Sequence, residues 1–503
     1  MNVRHSRFMN RFFLTMAMAV LASVTASGQH QYDRLMRRNL WNDGTNAASI
    51  RMERQEMSAA QICGAYESGD FRDMSQSESE WTVMASARSL KHQERFSLKG
   101  SFVFSNIEAT GMSGSMFMDR NFYPIDVMEF TPGRKTFQSY GMTGAVAVDL
   151  DSRWKVGLGL DFRAGNAAKR KDLRYSSYRL DMQFTPSVIY VGDRSSAGAD
   201  FIFMRNTETV SAEQKGSAQT APFAFFNEGL GLGNWQVWTG NGSRLKESGV
   251  TGLPVRENAL GGSVQFAMDN LYAHVTALYL TGSVGERQTI WYRYCAPKFE
   301  ARLSARSGEH TLRGLFQWER LTNRETVQDK VTEGGISLVR EYGSNQILNS
   351  NTMSIGLDYE YSSQDWDAGL DVSFCDLQRL ATPVYPYVFS RDLKTVSAKA
   401  GLCYRRGRWE YGLCAGYQTA VGTDSERIVS SSDGMSAPVR KSDVYDDACQ
   451  METAGRIVLD AFADWRFSQH LHAVLCGNGL FAPEFNGSSN MRNIITLSIT
   501  YIF

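Results

Sequence analysis

After residue 28 the chain has no stretch approaching about 18 consecutive apolar residues, which excludes membrane-spanning helices. Excess charge of one sign is also missing. Lysine plus arginine number 53 and aspartate plus glutamate 53, so a dedicated nucleic-acid binder, with its basic surplus, is disfavoured. Proline is scarce (10 of 503), whereas glycine (44) and aromatics (12%) are frequent, a balance that suits long paired strands joined by turns. Cys63, Cys295, Cys375, Cys403, Cys414, Cys449 and Cys476 are scattered and odd in number, with no C-x-x-C among them. That gives no support to a zinc or haem-attachment site. At least one thiol is free or pairs between chains, and most are expected to be small residues on strand faces.

Catalytic signatures are missing too. There is no H-E-x-x-H, G-x-S-x-G or P-loop, and the GLGLGN run after residue 228 lacks the strand–turn–helix context of a nucleotide site. His470 and His472 adjoin a predicted turn with no third ligand in sequence. His274 could meet an Asp or Ser across strands, but any large barrel offers such pairs. The expectation is no enzyme, no metal and no cofactor.

What is present begins with an address. Arg4, Arg7 and Arg11 lead into an apolar run from Phe12 to Val24, followed by TASGQ. A basic flank, a short apolar core and small residues predict a secretory signal peptide over 1–28, removed after Ala26 or Gly28. No cysteine follows the cleavage region, so a lipoprotein of the usual kind is not expected.

From residue 58 onward the pattern has period two. Trp154, Val156, Leu158, Leu160 and Phe162 share one parity, with Lys155, Gly157, Gly159, Asp161 and Arg163 on the other. Trp409, Tyr411, Leu413 and Tyr417 likewise oppose Glu410, Gly412 and Gly416. A soluble sandwich would alternate as well. The segments are longer than globular strands, however, and the apolar parity is often capped by aromatics at both ends, as spanning strands require.

Connections alternate in length. Short turns are predicted near His92, Asp151, Gly192, Asp269, Gly308, Ser363, Arg406 and Ser468. Long connections fall at 70–78, 108–134, 168–173, 214–256, 326–350, 380–389, 426–452 and 484–490, with a short exception at 285–287. Short turns on one side and long loops on the other predict an all-β fold: one transmembrane antiparallel barrel over 58–503, of about 18 strands with about 16 as the alternative. Pro186 and Pro297 sit awkwardly inside predicted strands. Residues 29–57 are expected to lie in the periplasm or to insert into the lumen.

The chain ends NMRNIITLSITYIF, with Leu497, Ile499, Tyr501 and Phe503 on one parity. This segment resembles the closing strand of bacterial outer-membrane barrels. In that class the terminal aromatic is part of the signal read by the barrel-assembly machinery. The resemblance implies a Gram-negative outer membrane, with lipid and that machinery as partners. NLWNDGTNAAS, together with Gly69, Asp70 and Phe71, resembles an uncharacterised family of Bacteroidota outer-membrane barrels, which implies no established activity. The same stretch is faintly similar to the Asn-Pro-Ala-Gly region of fatty-acid transporters, whose N-terminal segment forms a hatch; here Ala47 and Ser49 replace the proline and glycine. Residues 29–57 are too short for the plug domain of TonB-dependent transporters.

With the apolar parity toward lipid, the other parity lines the lumen. Its candidate lining residues are Arg95, Lys99, Lys155, Asp161, Arg163, Glu300, Arg302, Asp358, Glu360, Asp371, Glu410, Arg456 and Asp460. An Arg or Lys facing hydrocarbon at mid-membrane would cost about 2–4 kcal/mol, which enforces this parity. The balanced signs leave two readings open: opposed acidic and basic walls across a pore, or internal salt bridges in a closed barrel. Lumen-parity glycines mark either room for a ligand or strand curvature. In the 214–256 loop, Phe225, Phe226, Trp235 and Trp238 are candidate ring-stacking contacts for a ligand, or a packed cluster of the loop itself. The expected function is a channel or substrate-specific transporter for small solutes. The alternatives are a non-catalytic barrel partnering a TonB-linked uptake or secretion system, and an outer-membrane hydrolase.

Overall fold

The structure is a computed structural model. It describes residues 39–53, 55–171, 173–213, 223–237, 253–286, 289–334, 336–382, 387–428, 439–440, 449–483, 485 and 489–503. The predicted signal peptide, residues 29–38 and Trp238 lie outside these.

The strands are β1 Met57–Gly69, β2 Ser79–His92, β3 Phe96–Ser115, β4 Asp126–Asp149, β5 Trp154–Lys169, β6 Arg174–Val191, β7 Ser195–Glu213, β8 Phe223–Gly229, β9 Leu232–Val237, β10 Leu253–Met268 and β11 Leu271–Glu286. They continue with β12 Thr289–Ser307, β13 His310–Glu333, β14 Ile336–Ser362, β15 Trp366–Ala381, β16 Tyr387–Arg406, β17 Trp409–Ile428, β18 Val439–Arg440, β19 Arg456–Arg466, β20 Leu471–Ala482 and β21 Asn490–Ile502. All but β8, β9 and β18 pair antiparallel with their neighbours in one ring. The sheet bypasses the 214–252 insertion by pairing β7 with β10, and bypasses β18 by pairing β17 with β19. The ring closes where β21 meets β1, with Ile499 opposite Ile62 and Leu497 opposite Gly64. The result is a closed 18-stranded barrel with no free edge, so every strand finds its backbone partners inside the sheet.

The parity argument holds strand by strand. Ile62, Leu158, Leu160, Leu357, Leu413 and Leu497 are exposed on the outer face, where only lipid can cover so continuous an apolar belt. At the short-turn end this face carries ring pairs: Trp154–Tyr190 at 5.0 Å, Trp366–Tyr404 at 4.3 Å, Trp409–Trp465 at 5.5 Å and Tyr501–Phe503 at 4.9 Å between centroids. Phe503 is 70% exposed, and its backbone N–H bonds Ser58 O at 2.9 Å, so the last residue is tied into the girdle.

Several turns at this end have two residues. Gly308 and Gly407 take φ of +60° and +62° there, a conformation that glycine adopts without Cβ strain. Pro186 and Pro297 are accommodated by gaps in the ladder. On β6, pairing to β7 skips from Phe184 to Ser187; on β12, pairing to β13 skips from Cys295 to Lys298.

Three predicted connections are corrected. Residues 326–350 are not a loop: β13 and β14 run on as a paired hairpin that turns at Gly334. Beyond the membrane neither face meets lipid, so the alternation that marks a spanning strand is absent from this one. Within 108–134, β3 runs on to Ser115 and β4 starts at Asp126, with bulges near Met112. The 214–256 insertion contains the β8–β9 hairpin, which pairs with β4 through Asp126↔Asn227 and Met128↔Phe225.

Candidate functional site

The barrel interior is occupied at both ends by the protein's own chain. At the short-turn end the occupant is a strap, residues 39–53, built from two 3-10 turns, Leu40–Asp43 and Ala47–Arg51. Each turn is opened by an asparagine cap: Asn39 Oδ1 accepts from Trp41 N at 3.1 Å, and Asn46 Oδ1 from Ala48 N at 3.0 Å. The strap is fastened along a continuous run of wall from β13 round to β3. Asp43 accepts from Arg313 Nε at 3.1 Å and Ser304 Oγ at 3.0 Å, and its carbonyl accepts from Arg302 Nη1 at 3.1 Å. Thr45 donates to Asp200 at 2.9 Å, Asn46 Nδ2 to Gln265 at 2.9 Å, and Ser187 Oγ accepts from Ala48 N at 2.9 Å. Arg51 pairs with Asp149 and donates to the carbonyls of Gln93 and Glu94 in the β2–β3 turn. The space left by Gly157 is filled here: a Cβ on it would overlap the Ala48 backbone.

At the long-loop end the occupant is a cap, made of residues 116–130 and the β8–β9 hairpin. Met116, Ile125, Val127 and Phe226 are fully buried against wall residues that include Leu253, Val255, Tyr292 and Tyr294. Buried hydroxyls and carboxylates key it to the wall. Tyr123 donates to Glu208 at 2.9 Å and Tyr292 to Glu228 at 2.6 Å, while beside them Tyr294 donates to Glu257 within the wall at 2.9 Å. Burial, reinforced by the Glu208 charge, pushes the Tyr123 hydroxyl well above its ordinary range, so it keeps the proton it donates. Burial lowers Arg120 to about 10, which still leaves it charged at neutral pH in its ion pair with Asp73.

The candidate loop contacts end up inside this cap. Phe225 and Phe226 are fully buried and unavailable as an exposed stacking platform, because the hairpin pairs with β4 and turns both rings into the packed interior. Trp235 pairs through its backbone with Phe225; its side chain lies outside the described residues.

The candidate lumen charges are mostly knitted into local pairs. Lys155 meets Asp149 at 2.7 Å, Arg163 meets Asp161 at 3.5 Å, and Arg302 meets Glu300 at 2.7 Å. Arg313 meets Glu360 at 3.0 Å and Asp358 at 3.4 Å, Arg466 meets Glu410 at 3.0 Å, and Lys399 bonds Asp460. Lys99 is half-buried on the lumen parity. Arg95 is exposed in the β2–β3 turn rather than on a strand, because β3 begins at Phe96. Arg456 is buried at the long-loop end, against Phe71 and Met451.

One stretch of wall stays wet. On β14–β16, Asp358 stands directly opposite Asp371, and Asp371 opposite Lys399. Asp371 is solvent-exposed, and the Asp358 and Lys399 side chains are 38% and 42% exposed. Gly356 and Gly369, on the same face, add no side chain there. Sequence reasoning missed the strap contacts of Asp43 and Asn46 and the cap-to-wall carboxylates Glu208 and Glu228. The two Asn caps ahead of short segments were the available signal for the strap.

A family model described as a family of unknown function (DUF6850) matches residues 47–503, and the chain belongs to that family. No curated protein matches it. Solved structures similar to the chain include the copper transporter OprC, at 9% identity, covering 90% of this chain and 81% of that one with a TM-score of 0.41. A variant of the FrpB iron transporter from Neisseria meningitidis is 8% identical, with 91% and 83% covered and a TM-score of 0.41. A mutant ferric enterobactin receptor (PfeA) from Pseudomonas aeruginosa is 9% identical, with 88% and 80% covered and a TM-score of 0.40. The barrel itself is established by its pairing ladder.

Proposed function

We propose that this protein is a gated outer-membrane transporter for small solutes, not a permanently open porin. The observation that carries the reading is the solvent-exposed stretch of inner wall at Asp358, Asp371 and Lys399, where Asp358 shares Arg313 with Asp43 of the strap. A barrel serving only as a membrane anchor has no need of an exposed pair of like charges directly opposite one another, an arrangement that costs stability. The short turns face the periplasm and the cap faces outside, as in the barrel class the C-terminal strand resembles. The strap, at the periplasmic mouth, is the part an uptake-system partner would reach.

Liposome swelling tests this reading. The unmodified chain should admit small sugars and amino acids slowly. A variant with the strap freed (Asp43→Ala with Arg51→Ala) and the hairpin 223–237 removed should admit them readily. A folded variant of this kind that stays impermeable would overturn transport and favour the accessory-barrel reading.

A further inference from the structure

Arg456 opens β19 on the lumen parity and is only 2% exposed. Its Nη1 donates to Met451 O at 3.4 Å, and its Cζ lies 5.8 Å from the centre of the Phe71 ring. Its Nε and Nη2 have no hydrogen-bond partner among the described residues, and no described carboxylate forms an ion pair with it. Directly opposite in register on β17, Gln418 is 4% exposed and leaves its Nε2 donor without a partner among the described residues. An apolar group roofs the place: Phe71, Met451, Ala482 and Phe485.

Other buried arginines of this barrel are treated differently. Arg179 has Asp119, Arg391 has Glu452 and Asp424, and Arg492 has Glu67. A guanidinium cannot shed its proton to escape burial, and an uncompensated buried charge is among the costliest groups a fold can hold. The unmet groups of this register pair are all donors: two on Arg456 and one on Gln418. Water could accept from them but would leave the charge standing. A planar or tetrahedral oxyanion satisfies both needs, because it accepts several N–H bonds and neutralises the guanidinium.

We propose that Arg456 and Gln418 form an oxyanion-binding site on the inner wall at the long-loop end, for a small solute bearing a carboxylate, sulfate or phosphate group. The donors face the lumen, so a lipid headgroup on the outer face is not the source. The site stands on these residues alone and does not depend on the transport reading.

The test uses the full chain in detergent. Its unfolding midpoint is followed by heat-modifiable gel mobility while sulfate, phosphate or acetate replaces chloride at constant ionic strength. The wild type should show a saturable upward shift with at least one of the three, which specifies the group bound. The shift should vanish in Arg456→Met, and the apparent affinity should fall about tenfold in Gln418→Leu, the size expected for one lost hydrogen bond to a charged group. Absence of any saturable shift in the wild type overturns the proposal, as does a shift of equal size and affinity in both variants. If Arg456→Met does not fold, Gln418→Leu alone decides: unchanged affinity overturns the site, weakened affinity supports it.

Discussion

The two closures of this barrel mix apolar burial and polar bonds in very different proportions. The cap is an apolar core in which whole aromatic side chains are removed from solvent, with hydroxyl–carboxylate bonds buried inside it. The strap is a thin ribbon gripped by separate polar contacts of Asp43, Thr45, Asn46 and Arg51 and by two small apolar clusters, Trp41 and Ala48 against Ile189 and Tyr272, and Ile50 against Leu90 and Ala147. Apolar burial is non-directional and cumulative, so a cap of this kind yields as a unit. A ribbon held by separate hydrogen bonds, each of modest net worth, can be peeled stepwise. The difference assigns them different roles: the cap behaves as part of the fold, and the strap as the releasable element.

The largest expected effect is on the cap. Phe226→Ala should cost about 3–5 kcal/mol, the range for emptying a buried aromatic site, read as a drop in the unfolding midpoint of the whole barrel. A change confined to the hairpin would mean that the cap is not part of the cooperative fold. Next come strap variants. Asp43→Ala should cost about 1–3 kcal/mol locally, because Arg313 keeps Asp358 and Glu360 as partners. The global midpoint should hardly move, while limited proteolysis near residue 45 should accelerate. Gly157→Val should give the same proteolytic phenotype, since a side chain there collides with the Ala48 backbone. Equal protection of wild type and variant would place the strap elsewhere. The smallest effect is Tyr294→Phe, about 1 kcal/mol on the midpoint, because Glu257 retains its bond from Asn206 at 2.8 Å.

Much of the barrel was legible because lipid imposes a rule on every spanning residue. The parity of Trp154–Phe162 and of Ile495–Phe503 follows from it, as do the short turns and a strand count of about 18. Legibility failed where lipid stops acting. Residues 326–350 pair as a hairpin with charge on both faces, because water surrounds both. Phe225 and Phe226 announced an apolar cluster, but composition alone does not say whether a loop turns its rings outward to a ligand or inward to a core. Balanced lumen charges such as Arg302 and Glu300 were visible as residues, whereas their pairing depends on which strands neighbour each other and in what register.

Single-channel conductance of the unmodified chain in planar bilayers tests the central claim most directly, namely that the lumen is obstructed at both ends by the protein's own segments. The account predicts no steady conductance, with at most brief openings. A stable, ohmic open pore from the intact chain would contradict it.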